Sequence, residues 1–493
     1  MGRHKVTGRQ GDKVKRDAPA PSPTPFVSHS PRLPFSLSPV LLVSSIPFLF
    51  LLIFYFYPLS SILTLSLSPD GRLSLAALGK LVAPYYRGVF WFTIWQAALS
   101  TLLTVGLALP GAYVFARYTF PGKSLARALT TVPFVLPTIV VALAFTAMLG
   151  PQGLLNLVAM KFLGADSPPL NLQHTLTAIL LAHVFYNYVL VLRIVGAYWA
   201  NLDPRLVEAA RMLGASRIRA FRKVTLPLLA PAIGAAALII FIFCFTSFGV
   251  ILVLGGPHFA TLEVEIYRQT IHYLNLPLAA TLSVIQIFFT FALMILYTRL
   301  QENLTLPVEL RPRQVTQRRP SHWREWLVVV LNVGLMLSLL VAPLAALVER
   351  SLTLSTEKGL SLTLYRQLFY NPRGSAFYVP PIAAVRNSVA FALATVCLSV
   401  ALGLMAAAAL NNTGGGGARN SRLRRLLDPV FMLPLGTSAV TLGLGYIVAL
   451  DEPPLNLRTS PLLTVLAHTL VALPFVVRSV LPAMRSVQPR LRE

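Results

Sequence analysis

The chain has 493 residues, 55% of them hydrophobic and only 12% charged, which makes it too long for one ordinary domain and too apolar for a soluble one. Its 42 Lys and Arg outweigh 17 Asp and Glu, for a net charge of +25. No aromatic-interleaved basic surface or nucleic-acid module accompanies that charge, so nucleic acid is excluded as a partner, and the composition points to an all-α, polytopic transmembrane helical bundle surrounded by lipid.

Residues 1–38 are polar, basic and then Pro-rich from Ala18 to Pro25, the composition of a disordered cytoplasmic arm. Ten apolar runs follow, each near the roughly 20 residues that a membrane-crossing helix needs. They are expected near 40–63, 89–116, 128–149, 174–192, 228–254, 278–298, 327–348, 386–410, 429–450 and 461–477. The first run lacks a small-x-small cleavage site and reads as a retained anchor. With the N-terminus inside, about 31 of the 42 Lys and Arg fall in cytoplasmic segments, so the basic excess is first a topology signal. The two cysteines, Cys244 and Cys397, both lie in expected spans and read as small buried residues, not a disulfide or a metal pair.

The sequence repeats itself in parallel. Pro169-Leu170-Asn171-Leu172 recurs as Pro454-Leu455-Asn456-Leu457, 285 residues later. At the same offset Leu181-Ala182-His183 matches Leu466-Ala467-His468, Arg193 matches Arg478, and Pro204-Arg205-Leu206 and Glu208 match Pro489-Arg490-Leu491 and Glu493. Leu136-Pro137 and Leu433-Pro434 pair at an offset of 297, which places a 12-residue excess in the first outer loop. An ordered series through loop, helix and loop marks a duplicated unit. The expected division is a first module at 39–298 with about six spans, a cytoplasmic linker and hinge at 299–326, and a second module at 327–493. The first module continues two spans beyond the point matching Glu493, so the repeat predicts about twelve spans, ten of them present, with the second module truncated.

The loop at 203–227 is polar and Arg-rich between two apolar runs. Asp203 is a good N-cap and Pro204 suits the first helical position. The helix should run through Leu213, with Gly214 as its left-handed cap. Ala215 and Ser216 restart a helix carrying Arg217, Arg219, Arg222 and Lys223, and Pro227 enters the first turn of the next span. Ala209 and Ala210 leave a face almost without side chains for another backbone to approach. Glu208 offers one carboxylate to a partner's Arg.

The string Glu208-Ala209-Ala210, Gly214, Val224, Leu226, Pro227 resembles the Glu-Ala-Ala loop of binding-protein-dependent ABC importer permeases, with Val224 in place of the commoner Ile. Within that superfamily the ferric-iron and thiamine permeases are most similar, on the strength of Leu181–Asn187, Phe243–Gly249, Leu254–Pro257 and Ala260–Tyr267. The resemblance implies two permease modules fused in one multi-pass chain of the bacterial plasma (inner) membrane. It implies no covalent catalysis and no cofactor on this chain. Two separate ABC ATPase subunits would use ATP at the loops, and an extracytoplasmic solute-binding protein would deliver iron or a thiamine-like solute. Pro489, Arg490, Leu491 and Glu493 would be the remnant of the second loop.

Other constellations are weaker. Gly122-Lys123-Ser124 lacks both the Gly five residues earlier and the strand that a phosphate-binding loop needs, and reads as a basic turn. The eight His show no metal-ligand spacing. His183, with Asn187 one turn on, and His468 have two readings, a place on the solute path or helix-to-helix hydrogen bonds. Glu263 and Glu265 are expected on an outer segment, either as a face toward a binding protein or cationic solute, or as a solvated helix face. An ion-gradient-driven secondary transporter is the runner-up function; it predicts intramembrane acidic residues, and none of the ten expected spans holds one.

Overall fold

The computed structural model describes residues 39–69, 71–72, 79–302, 317–353, 360–370, 379–412, 430–451, 453 and 455–486, besides Gly2. The basic arm (apart from Gly2), the Gly414–Gly417 stretch and the second-loop remnant (Pro489, Arg490, Leu491, Glu493) lie outside them. Among the described residues nine helices are long and apolar enough to cross a membrane, and Ala439–Ala449 is a shorter apolar helix.

In chain order, α1 (Pro39–Leu51) continues through a π turn into α2 (Tyr57–Leu67), and α3 (Pro84–Arg117) follows. Two short helices, α4 (Lys123–Leu129) and α5 (Val132–Val135), lead to α6 (Thr138–Leu149) and α7 (Leu154–Leu163). Then come α8 (Leu176–Asn201), the loop helices α9 (Pro204–Met212) and α10 (Arg217–Ala220), α11 (Leu226–Phe245), short α12 (Gly249–Leu254) and α13 (Leu262–Tyr267), and α14 (Leu276–Glu302). The second half contains α15 (Trp323–Leu352), short α16 (Thr363–Arg366), α17 (Pro381–Asn412), α18 (Ala439–Ala449) and α19 (Pro461–Ser486).

The repeat is visible in space. Helices α8 and α19 are both 26 residues long and start 285 residues apart. Helix α3 packs along α8 as α17 packs along α19. Small residues allow this closeness: Gly196 lies against the Ala112 backbone, and a Cβ at Gly403 would collide with the Val476 side chain.

Two expected spans are corrected. The run at 128–149 is not one helix, because Leu136 is extended (φ −68°, ψ 140°) before Pro137, itself at φ −58°, ψ 139°, and α6 starts only at Thr138. The residue before a proline is driven out of the helical region, so the chain breaks there. The run at 429–450 breaks likewise, through a 3₁₀ turn at Leu433–Gly436, extended Thr437 and N-cap Ser438. Matching these breaks pairs Pro133, not Pro137, with Pro434, since each is the second residue of its short helix. The true offset there is 301, so the first outer loop exceeds the second by 16 residues instead of 12.

The two halves also exchange their first helices. Helix α1 packs on α17 of the second half and α2 lies between α18 of the second half and α14 of the first, while α15 packs on α6 and α3 of the first. One apolar core therefore joins Met336, Leu340 and Ala346 of α15 to first-half residues. A second joins Phe50, Leu51 and Tyr55 to Leu402, Leu442 and Leu470. Modules that are contiguous in sequence are thus interleaved in space.

The expected linker and hinge at 299–326 is described only at its two ends. Residues up to Glu302 are helical, 303–316 lie outside the described residues, and the segment from Gln317 is pinned to the first half. Arg318 exchanges backbone hydrogen bonds at 3.0 Å with Arg117 and Thr119, its guanidinium lies 5.4 Å from the Tyr118 ring centroid, and it pairs with Glu325. Of the two cysteines, Cys244 is buried as expected, whereas Cys397 is exposed on α17.

Candidate docking loop and inter-module cavity

The loop at 203–227 folds by local hydrogen bonds. The Asp203 carboxylate accepts from Arg205 N at 3.0 Å, capping α9, and Pro204 takes the position where no intrahelical N–H is needed. At the other end Gly214 adopts φ +86°, Gly214 N donates to Arg211 O at 3.0 Å, and Ala215 N donates to Ala210 O at 3.1 Å. That pair of bonds is a Schellman motif, which satisfies two carbonyls and turns the chain sharply. Ser216 then caps α10, accepting from Arg219 N at 3.3 Å. The helix runs on through a π turn at Phe221–Thr225 into α11. Pro227 lacks the N–H that would bond the carbonyl four residues back, and the wider turn accommodates the defect just before it.

The loop projects from the helix ends. Glu208, Ala209, Gly214, Leu226 and Pro227 are exposed, and Ala210 and Val224 half-buried. Met212 is 87% exposed, Leu213 90% and Ile218 73%. Three large exposed apolar side chains on a loop otherwise basic form an uncovered apolar patch. The sequence reading did not single these three out, although their place around Gly214 at the tip of the turn was the available signal. Beneath the loop a cavity of about 680 Å³ is lined by Arg117, Arg211, Arg217, Arg318 and Arg324, with Glu208 and Glu325 as its acids. Arg117 sits within the fields of Asp203 and Glu208 and donates to Leu202 O at 3.4 Å. The loop thus rests on the inner ends of α3, α8 and α15.

His183 is 2% exposed and ties three elements together. Its Nδ1 hydrogen-bonds Ser100 Oγ on α3 at 2.8 Å, and its Nε2 hydrogen-bonds Ser247 Oγ after α11 at 2.9 Å. Asn187 Nδ2 donates to His183 O at 2.9 Å. Both ring nitrogens are used between helices, so the geometry favours the bracing reading over the solute path. His468, its repeat equivalent, is exposed on α19 and makes no such brace.

Glu263 and Glu265 require a correction. Neither faces outward: they are 0% and 1% exposed, because α13 packs against α3, α14 and α18 instead of lying on the surface. Glu265 accepts from Tyr85 Oη at 2.9 Å and from Gln269 Nε2 at 2.7 Å. Glu263 accepts from the Gln286 amide of α14 and, at 2.8 Å, from Ser438 Oγ of the second half. Alternation of apolar and acidic residues suggested a surface helix; burial against the other module could be seen only in three dimensions. The fold therefore holds acids deep inside although none lies on an expected span.

Near that carboxylate a cavity of about 640 Å³ opens between the halves. Ile287, Phe291, Met294 and Thr298 of α14 form one wall; Thr437, Arg478 and Leu481 of the second half form the other. Tyr55, from the exchanged first helix, closes over it with a 2.7 Å hydrogen bond to Thr437 Oγ1.

Residues 108–306 match the family described as binding-protein-dependent transport system inner membrane component. The thiamine transport system permease protein ThiP of Brucella abortus is 29% identical over 414 residues, covering 82% of this chain and 70% of that protein. ThiP of Escherichia coli K12 is 28% identical over 412 residues, covering 82% and 72%. A solved bacterial ABC transporter involved in the import of the acidic polysaccharide alginate aligns with a TM-score of 0.46 at 16% identity, covering 54% of this chain and 96% of that one. The family match lies across the loop at 203–227 and the likeness to ThiP extends through both halves of the repeat, so the chain resembles a permease subunit of the binding-protein-dependent ABC importers.

Proposed function

We propose that the permease carries thiamine or a thiamine-like cation inward across a bacterial plasma membrane, with its N-terminus and the loop at 203–227 on the cytoplasmic side. Thiamine is preferred to ferric iron because relatives named as thiamine permeases align over 82% of the chain. An extracytoplasmic binding protein delivers the solute between the two halves. Two ATPase subunits supply the energy, one seated on α9 and its Gly214 turn and the other on the second copy of the loop. ATP-driven closure moves the halves as interleaved rigid bodies and switches the access of the cavity between them. The permease contributes no covalent chemistry, and no cofactor is assigned to it.

The observation that carries this reading is the exposed apolar tip of a rigidly capped loop, Met212, Leu213 and Ile218 beside Glu208. Burying each of the first two against a partner is worth about 1.5–3 kcal/mol. Met212→Ser with Leu213→Ser, or Glu208→Ala, should leave the detergent-solubilised permease as stable as the parent. Each should weaken ATPase co-purification roughly tenfold or more and abolish most ATP-dependent thiamine uptake in proteoliposomes. Uptake that survives removal of the ATPase but collapses with the proton gradient would overturn the reading in favour of a secondary transporter.

A further inference from the structure

We propose that Glu263 recognises the positive charge of the solute as it passes between the two halves. The assignment rests on the cationic-solute reading above and adds the residue that reads the charge.

Three observations converge on it. First, the carboxylate is completely buried, and its hydrogen-bond partners are both neutral, the Gln286 amide and the Ser438 hydroxyl. A carboxylate withdrawn from water without a counter-charge is costly, and two neutral donors offset only part of that cost. Second, the polar groups beside it are incompletely used. The Gln286 carbonyl oxygen is buried without a partner, and so are the hydroxyls of Ser283 and Thr290, on the same face of α14 at spacings of three and four residues. Buried acceptors left over around a carboxylate form a negative site with capacity for a donor or a cation. Third, space of small-molecule size begins next to it in the chain. A cavity of about 640 Å³ is lined at one end by Ile287 and Thr437, the chain neighbours of Gln286 and Ser438, and its two cations, Arg299 and Arg478, lie at the other end, about 18 Å along α14.

The site also spans the moving parts. Glu263 and Gln286 belong to the first half, and Ser438 caps α18 of the second, accepting from Thr441 N at 3.0 Å. When the halves separate, the Ser438 hydroxyl withdraws from Oε2, and a cation entering the cavity takes its place. The neutral contact is the resting partner and the solute the working one.

The test uses the whole importer, with its ATPase and binding-protein subunits, in proteoliposomes, and radiolabelled thiamine as the probe. Glu263→Gln keeps the size and one acceptor oxygen and removes the charge; it should lower the thiamine uptake rate about tenfold or more, with ATPase subunits still co-purifying. Ser438→Ala removes the contact between halves and keeps the charge; it should lower uptake by less than about threefold. Equal losses in the two variants would make Glu263 a strut between modules and overturn the assignment, as would wild-type uptake by E263Q. Where E263Q does not assemble, Glu263→Asp carries the test, since it keeps the charge: uptake retained above the level of an empty vesicle supports the assignment and uptake at that level overturns it. A wild-type importer that moves no thiamine overturns the solute reading and this assignment together, whereas a thiamine-competent E263Q overturns the assignment alone.

Discussion

Gly214 holds a φ of +86°, where a side chain crowds its own backbone, and a Cβ there would meet nothing else within 4 Å. The cost of Gly214→Ala is therefore purely conformational, about 1 kcal/mol, concentrated in the turn. Thermal unfolding of the purified permease should shift little, because the loop touches only helix ends. ATPase co-purification should fall, because Met212 and Leu213 lose their fixed presentation. A loss of global stability with normal ATPase binding would show that the turn serves the fold instead. Glu208 and Glu263 illustrate the other half of the residue scale. The same side chain is exposed on α9 and fully buried on α13, and only its surroundings separate the two roles proposed for it.

At the scale of elements, helices are joined by polar contacts set into apolar faces. His183 links α8 to α3 and to the segment after α11, and removing it strands the Ser100 and Ser247 hydroxyls in a buried site. His183→Ala should cost about 1–3 kcal/mol, read as a lower melting temperature in detergent. Transport per folded molecule should be near normal, because the ring's two nitrogens are both spent on bracing. A large loss of transport with unchanged melting would return His183 to the solute path. The broken helices obey a related logic. Pro137 ends one helical path and starts another, and Ser438 does the same at the matching place in the second half. The second break puts Gly436 and Thr437 on the wall of the inter-module cavity, and at the first Leu136 O accepts from Tyr186 Oη at 3.2 Å; polar backbone freed within a membrane needs such protein surroundings.

The whole molecule is held together by exchange. Because α1 packs on the second half, α2 bridges both and α15 packs on the first, separating the halves requires breaking contacts in two apolar cores and not one interface. Cutting the chain between residues 303 and 316, through an engineered protease site, should therefore leave the two pieces co-purifying in mild detergent. Their separation on affinity capture of either piece would refute the exchange. The Arg318–Glu325 pair and the strand-like contact of Arg318 with Arg117 and Thr119 keep the downstream end of the linker on the first half.

Much of the docking loop was legible in the sequence. Asp203, Pro204, Gly214 and Ser216 act through hydrogen bonds within a few residues, so their identities alone imply cap, turn and restart. The 285-residue repeat was legible for the same reason, since each copy repeats its local signals. The chain break at Leu136–Pro137 was visible as a proline and its counterpart at Thr437–Ser438 was not; apolar runs surround both, and their register was decided by backbone geometry. The exchange of first helices, the exposure of Met212 and Leu213, and the burial of Glu263 under Ser438 left no periodic trace. Each depends on which surfaces meet across hundreds of residues. Local chemistry therefore determined the elements, the repeat and the place where energy enters. Long-range packing alone decided how the halves interlock and which carboxylate lies between them.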